Sequence, residues 1–167
     1  MTKALFFDID GTLVSFETHA IPASTIEALT IAHEKGIKIF IATGRPKAII
    51  NNLADIQDRG LIDGYITMNG AYCFVGDEVI YKSAIPAGEV RALAQVCEQK
   101  GYPCIFVGEH TISVCQPNKL VHDIFYDFLH VDEIPVKTFE EAVQEEIFQM
   151  TPFVTVEEET EIQPQIP

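Results

Sequence analysis

Ala4-Leu5-Phe6-Phe7-Asp8-Ile9-Asp10-Gly11-Thr12 is the stretch on which the fold turns. Four apolar residues run unbroken up to Asp8, and such a run fits a strand of a parallel sheet, buried on both faces. Gly11 then supplies a loop. A helix is predicted from Ala23 to Lys35, where Ser24 and Glu27 have capping-box spacing and Gly36 suits the position just past the end. Ile37 to Ala42 reads as a second buried strand, ending at Thr43-Gly44-Arg45-Pro46. Another helix is expected from Pro46 to Leu53. Gly64-Tyr65-Ile66-Thr67 reads as a third strand, closed by Asn69-Gly70. The order β-α-β-α-β predicts an α/β fold with a doubly wound, Rossmann-like parallel sheet. Ligands of such sheets collect beyond the C-terminal strand ends. Asp8, Asp10, Thr43, Gly44, Arg45, Asn69 and Gly70 all fall there, from three separate strands.

Beyond this the pattern changes. Tyr72 to Val75 and Glu78 to Lys82 predict a hairpin around Gly76-Asp77. A second, α+β unit is expected from Ser83 onward, dividing the chain into residues 1–82 and 83–167. Its predicted elements are a helix at Gly88 to Lys100, strands at Cys104–Val107 and Thr111–Cys115, and a helix at Asn118 to Leu129. Thr138 with Glu141, and Thr155 with Glu158, offer two capping signals, with a strand at Ile147 to Met150 between them. No internal repeat is present.

The 167 residues suffice for one ordinary domain or two small ones, and 47% hydrophobic residues mark a folding sequence. The net charge of −14 argues against a general nucleic-acid binder and against an anionic membrane surface. A phosphorylated small molecule remains compatible, because a local cation can reverse the field at one site. No apolar run approaches the ~18 residues of a membrane span. Cys73, Cys97, Cys104 and Cys115 form no C-x-x-C pair, and the N-terminus carries no signal peptide, so a reducing cytoplasm is expected. His19, His33, His110, His122 and His130 show no metal-ligand spacing and read as structural or surface residues.

Two aspartates two apart after a strand suit phosphoryl transfer. That reaction needs one carboxylate oxygen in line with phosphorus, a cation to offset negative charge, and a proton for the leaving alkoxide. Asp8, at the strand end, can supply the nucleophile and a magnesium ligand. Asp10 can turn back to the same cavity and move the proton. Gly11 permits close backbone approach to phosphate oxygens, and Thr12 suits a supporting hydrogen bond. Thr43 offers a hydroxyl donor, and Arg45 could make charge-assisted contacts to substrate. Each motif alone has an ordinary reading: a D-x-D-G turn, a Thr-Gly strand end, a surface arginine, an Asn-Gly turn. Their order on successive strands is what favours chemistry.

These residues resemble the haloacid dehalogenase superfamily. Phe6-Phe7-Asp8-Ile9-Asp10-Gly11-Thr12-Leu13 is similar to its first motif and Ile41-Ala42-Thr43-Gly44-Arg45 to its second. Met68-Asn69-Gly70-Ala71 narrows the resemblance to the Cof-type branch and its sugar phosphatases from Bacteroides-type bacteria, over essentially the whole chain. The resemblance implies a core with an inserted α/β cap, Mg2+ as cofactor and a small phosphorylated metabolite as substrate. It implies that Asp8 forms a phosphoaspartyl intermediate and binds magnesium. Asp10 would be the acid/base and bind magnesium through its backbone carbonyl, and Thr43 would bind phosphate. Cation-pumping ATPases of the superfamily carry Thr at the position of Asp10, which slows hydrolysis of the phosphoenzyme.

One departure stands out. The family's third-motif Lys and fourth-motif G-D-x-x-N-D are not identifiable, and the sequence reaches Pro164-Gln165-Ile166-Pro167 with the expected cap unfinished. An incomplete core is therefore expected, completed by a C-terminal segment of the same protein or answered by oligomerisation. Two other readings stay open: a remnant without catalysis that binds phosphate or a partner, and a receiver-type phosphoacceptor domain, which gives no reason for an inserted cap.

Overall fold

The computed structural model describes residues 2–131 and 133–162, so Pro164-Gln165-Ile166-Pro167 lies outside the described residues. The chain divides into two compact units, Met1–Lys82 and Ser83–Pro167.

The first unit is a five-stranded sheet in the order β1-β2-β3-β4-β5. It comprises β1 (Ala4–Phe7), β2 (Lys38–Ala42), β3 (Gly64–Thr67), β4 (Tyr72–Val75) and β5 (Glu78–Lys82). The first three run parallel, and the hairpin adds two antiparallel strands. The core gathers Ile9, Leu13, Leu29, Ile39, Ile41, Leu53 and Ile56, with Tyr65 packed against it. β1 departs from the expectation of burial on both faces. It forms one edge of the sheet, and Leu5 and Phe6 stay 40% and 58% exposed. Phe6 stacks on Phe40 of the neighbouring strand, 5.0 Å between ring centres.

Helix α1 (Ala23–Glu34) forms where expected, but without its capping box. Pro22 takes the N-cap position and Ser24 falls inside the first turn, where its side chain caps nothing. The other end follows the sequence signal. Gly36 adopts φ +74°, its N–H donates to His33 O, and the N–H of Ile37 donates to Ala32 O. These are the two bonds of a Schellman stop, which needs the left-handed conformation glycine tolerates.

The helix expected from Pro46 to Leu53 does not form. A single 3-10 turn, Lys47–Ile49, gives way to an extended Ile50 (ψ 90°), and α2 starts only at Ala54 (Ala54–Gln57). The Arg45 guanidinium takes the Ile49 carbonyl. In a continuous helix that carbonyl would accept the N–H of Leu53.

The second unit has a three-stranded antiparallel sheet, β6 (Cys104–Gly108) flanked by β7 (Ile112–Cys115) and β8 (Ile147–Pro152). Helix α3 (Ala87–Lys100) ends at Gly101 in the left-handed region, φ 76°. It packs Val90, Ala94 and Cys97 against Cys104, Phe106, Cys115 and Phe139. Thr138 and Glu141 form the expected capping box of α5 (Phe139–Ala142). Thr155 and Glu158 exchange the same two bonds at the start of α6 (Val156–Ile162). The helix predicted from Asn118 begins as α4 (Lys119–His122), capped by the Asn118 side chain. It continues as a π-helical stretch, Asp123–Phe128. All four cysteines are free thiols. Burial and the neighbouring Cys97 and Glu98 push the Cys115 thiol up to about 11, and Cys104 is raised by Cys97 and by burial.

Candidate active site

β1 and β2 pair with Phe7 level with Ile41, so the loops leaving both strands start side by side. After Asp8 the first loop winds tightly. The Ile9 carbonyl accepts N–H bonds from Thr12, Leu13 and Val14 at 3.2, 3.0 and 2.9 Å, while the Gly11 N–H donates to Val14 O at 2.9 Å. Ile9 is fully buried and anchors the loop in the core. The winding demands φ +77° at Gly11, and a Cβ there would lie 2.5 Å from Cε2 of Phe16. Glycine is favoured by conformation, while the exposed Phe16 ring could swing away from a Cβ.

The two aspartates of this loop face different conditions. The Asp8 carboxylate is exposed and makes no hydrogen bond or ion pair among the described residues. The Asp10 side chain is 31% exposed and is gripped by Arg45, with Nε donating to Oδ2 at 2.8 Å and Nη2 to Oδ1 at 2.9 Å. Arg45 Nη1 donates to the Ile49 carbonyl at 3.0 Å and to Asn51 Oδ1 at 3.4 Å.

The second and third loops are tied together. Thr43 N donates to Ile66 O at 2.9 Å, Met68 N to Arg45 O and Asn69 N to Thr43 O, the last two at 3.3 Å. To make these bonds Met68, Asn69 and Gly70 run consecutively at φ 52°, 55° and 97°. Two non-glycine residues in the left-handed region cost about 1–2 kcal/mol each, and such strain clusters at functional sites. Gly44 belongs to the same arrangement: a Cβ on it would meet Asn69 Oδ1 at 3.1 Å. Thr43 is buried, and its Oγ1 accepts the Arg45 N–H at 3.1 Å, leaving the hydroxyl proton free to donate.

The structure therefore joins Asp10, Thr43, Gly44, Arg45, Asn69 and Gly70 in one cluster. Asp8 stands beside it at the end of β1, and Thr12 is exposed in the first loop, held there by its N–H. Sequence reasoning did not assign Asn51 and the Ile49 carbonyl as partners of Arg45. Nor did it pair Arg45 with Asp10, although opposite charges each three residues past adjacent strand ends were a usable signal. Lys47 places its ammonium 4.8 Å from the centre of the Phe74 ring.

The donor set at the loop suits a hard cation. Asp8 offers a carboxylate and Asp10 a backbone carbonyl, and Mg2+ characteristically takes one or two carboxylates and completes its shell with water and phosphate oxygens. Among the described residues, three grouped metal-ligating side chains occur elsewhere, at His122, Asp123 and Asp127 in the second unit. The π-helical winding brings His122 Nδ1 to 3.6 Å from Asp127 Oδ2, and Lys119 is already paired with Asp123.

The chain as a whole is similar to known proteins. The solved structure of the HAD subclass IIB sugar phosphatase BT4131 is 75% identical, with a TM-score of 0.92 over 99% of this chain and 64% of that one. BT1666 from Bacteroides thetaiotaomicron is 32% identical, with a TM-score of 0.81 over 99% of this chain and 61% of that one. YkrA of Bacillus subtilis is 29% identical over 163 residues, 95% of this chain and 60% of YkrA. The chain thus spans somewhat less than two thirds of these relatives. The match to the family itself covers residues 5–166, and with the loops of three parallel strands assembled as described, the chain belongs to the haloacid dehalogenase-like hydrolases.

Proposed function

We propose that this chain carries the nucleophile half of a magnesium-dependent phosphatase acting on small phosphorylated metabolites, sugar phosphates in particular. The observation that carries the reading is the contrast within one loop. Asp8 is exposed and unpaired at the strand end, while Asp10, two residues on, is fixed in orientation. An Asp8 oxygen attacks phosphorus, the phosphorus–oxygen bond to the sugar breaks, and Asp10 delivers the proton that the leaving alkoxide needs. Water then attacks the phosphoaspartate, Asp10 takes its proton, and inorganic phosphate leaves. The Thr43 hydroxyl and the Gly44 backbone N–H are the donors for phosphate oxygens, since the Gly11 and Thr12 N–H groups already bond within the loop, with Asn69 and Gly70 shaping the rim. Asp8 and the Asp10 carbonyl would hold Mg2+, which supplies positive charge between carboxylate and phosphate.

Residues 83–167 are proposed as the cap that selects substrate. A cytoplasmic setting accords with the four free thiols, and no helix among the described residues is long and apolar enough to cross a membrane. The likeness to a sugar phosphatase at 75% identity supports the substrate class.

A second reading, a phosphate-binding chain without turnover, is favoured by one observation. Lys47 lies over Phe74, not beside Asp8, so it does not stand in for the lysine that the family pairs with its nucleophile. Hydrolysis of p-nitrophenyl phosphate with saturating magnesium tests the first reading. Turnover is expected to disappear in Asp8→Asn, and Asn-variant turnover equal to the parent's would overturn the assignment.

A further inference from the structure

We propose that Arg45 is a positioning residue for Asp10 and not a ligand of the substrate; this rests on the phosphatase reading above. A guanidinium has five N–H donors. In Arg45, two go to the two Asp10 oxygens, and Nη1 contacts the Ile49 carbonyl and Asn51 Oδ1. One Nη2 proton is left, on a side chain only 8% exposed. A residue meant to grasp a phosphate would keep its fork open to solvent, because bidentate recognition needs two parallel donors. Here the fork is spent inside the protein.

The local fold is built around that use. The 3-10 turn Lys47–Ile49 ends early and Ile50 is extended, which releases the Ile49 carbonyl for Arg45 in place of a helical N–H. Arg45's own backbone is pinned at both ends, its N–H on Thr43 Oγ1 and its carbonyl on the Met68 N–H. The guanidinium plane is thereby fixed, and it fixes the plane of the Asp10 carboxylate. Each Asp10 oxygen takes one bond from Arg45 and keeps lone-pair capacity for a proton partner. Asp10 remains 31% exposed, so that capacity is reachable. Lysine could supply the charge at this position but not the fork.

The test is NMR on the full chain, labelled with nitrogen-15 and carbon-13, as parent, Arg45→Lys and Arg45→Gln. Asp10 is expected to show Hα–Hβ couplings of a single rotamer in the parent and averaged couplings in both variants. A single rotamer retained in Arg45→Lys would overturn the proposal, and this variant keeps the charge should Arg45→Gln fail to fold. Inorganic phosphate with Mg2+ is then titrated in. The amides of Gly11, Thr43 and Gly44 are expected to shift while the Arg45 Nε–H signal stays, and phosphate affinity in Arg45→Lys stays within threefold. An Nε–H shift saturating together with the loop amides, or a tenfold loss of affinity, would make Arg45 a substrate ligand. If phosphate moves no loop amide, the phosphate-site reading fails, and the Asp10 couplings alone decide the role of Arg45. Where the chain turns over p-nitrophenyl phosphate, Arg45→Gln is expected to lower kcat about 100-fold with KM within threefold. A rise in KM at unchanged kcat would instead show lost substrate binding.

Discussion

Asp10→Asn and Asp8→Asn remove one charge each from the same loop, yet their effects on stability should differ sharply. Asp10 holds a guanidinium that is 8% exposed and otherwise meets only a carbonyl and an amide oxygen. Removing one partner of a fully buried ion pair costs about 3–5 kcal/mol. The Asp10 side chain is 31% exposed, so water screens part of that interaction. Asparagine also keeps one oxygen for the fork and turns its NH2 toward the other donor. A loss of about 2 kcal/mol follows for Asp10→Asn. Asp8 is exposed and unpaired, and its substitution should stay within about 0.5 kcal/mol. Amide hydrogen exchange in β2 reads the first unit by itself. Exchange at Ile39 and Ile41 should accelerate about 30-fold in Asp10→Asn and stay nearly unchanged in Asp8→Asn. Equal acceleration in the two variants would refute the reasoning, because the ion pair would then carry no net stability.

The remaining predictions concern chemistry and pH. Asp10→Asn should slow hydrolysis of alkyl phosphates more than aryl phosphates, whose leaving groups need less protonation; equal loss on both classes would count against proton transfer by Asp10. The 167-residue chain alone should be a poor phosphatase, slower than its longer relatives by at least about 100-fold. Adding the C-terminal third of a relative in trans should raise its turnover, and full activity without that addition would show that these loops complete the site. Burial disfavours ionisation of Asp63, but the Lys38 ammonium at 2.6 Å and the Ile39 N–H at 2.9 Å outweigh it and hold its carboxyl below the usual value. A group depressed in this way stabilises the fold above its unfolded pKa, and that contribution fades as pH falls through the lower folded value. Asp63→Asn should therefore flatten the acid limb of stability against pH, as followed by denaturant midpoints between pH 5 and about 2; an unchanged limb would mean that Lys38 contributes nothing there.

What the sequence disclosed and what it hid divide along one physical line. Signals that act between near neighbours were legible. Gly36 and Gly101 stop helices by a conformation that other residues resist. Thr138 with Glu141 closes a box within one turn, and Gly76-Asp77 turns a hairpin at the expected place. Alternatives that depend on a distant partner were not legible. Ser24 had the spacing of a cap, but Pro22 begins the helix two residues earlier. The apolar run of β1 said that its faces favour burial, and could not say that β2 is its single neighbour among the described residues. The segment after Pro46 has helical character, but its helix is interrupted where a carbonyl is claimed by Arg45.

The candidate site obeys the same division. Residue types at the three strand ends were readable, because a parallel sheet carries them to one edge whatever the side chains do afterwards. Their partners were not, since these depend on hydrogen-bond accounting across loops. Arg45 looked like a free cation and is engaged at four of its donors; Asp8 and Asp10 were read in different roles, and their opposite pairing was not foreseen. The arrangement has a physical sense. A nucleophile needs an unencumbered oxygen that can approach phosphorus, whereas a proton carrier acts only when its lone pairs are aimed. In the proposed roles one loop would meet both needs: Ile9 sits in the core as a rigid spacer, Asp8 is left open on one side, and Asp10 is anchored to the neighbouring strand's arginine on the other. Moving either aspartate by one residue would break that arrangement, because the ladder that sets Phe7 level with Ile41 also sets the distance Arg45 must span.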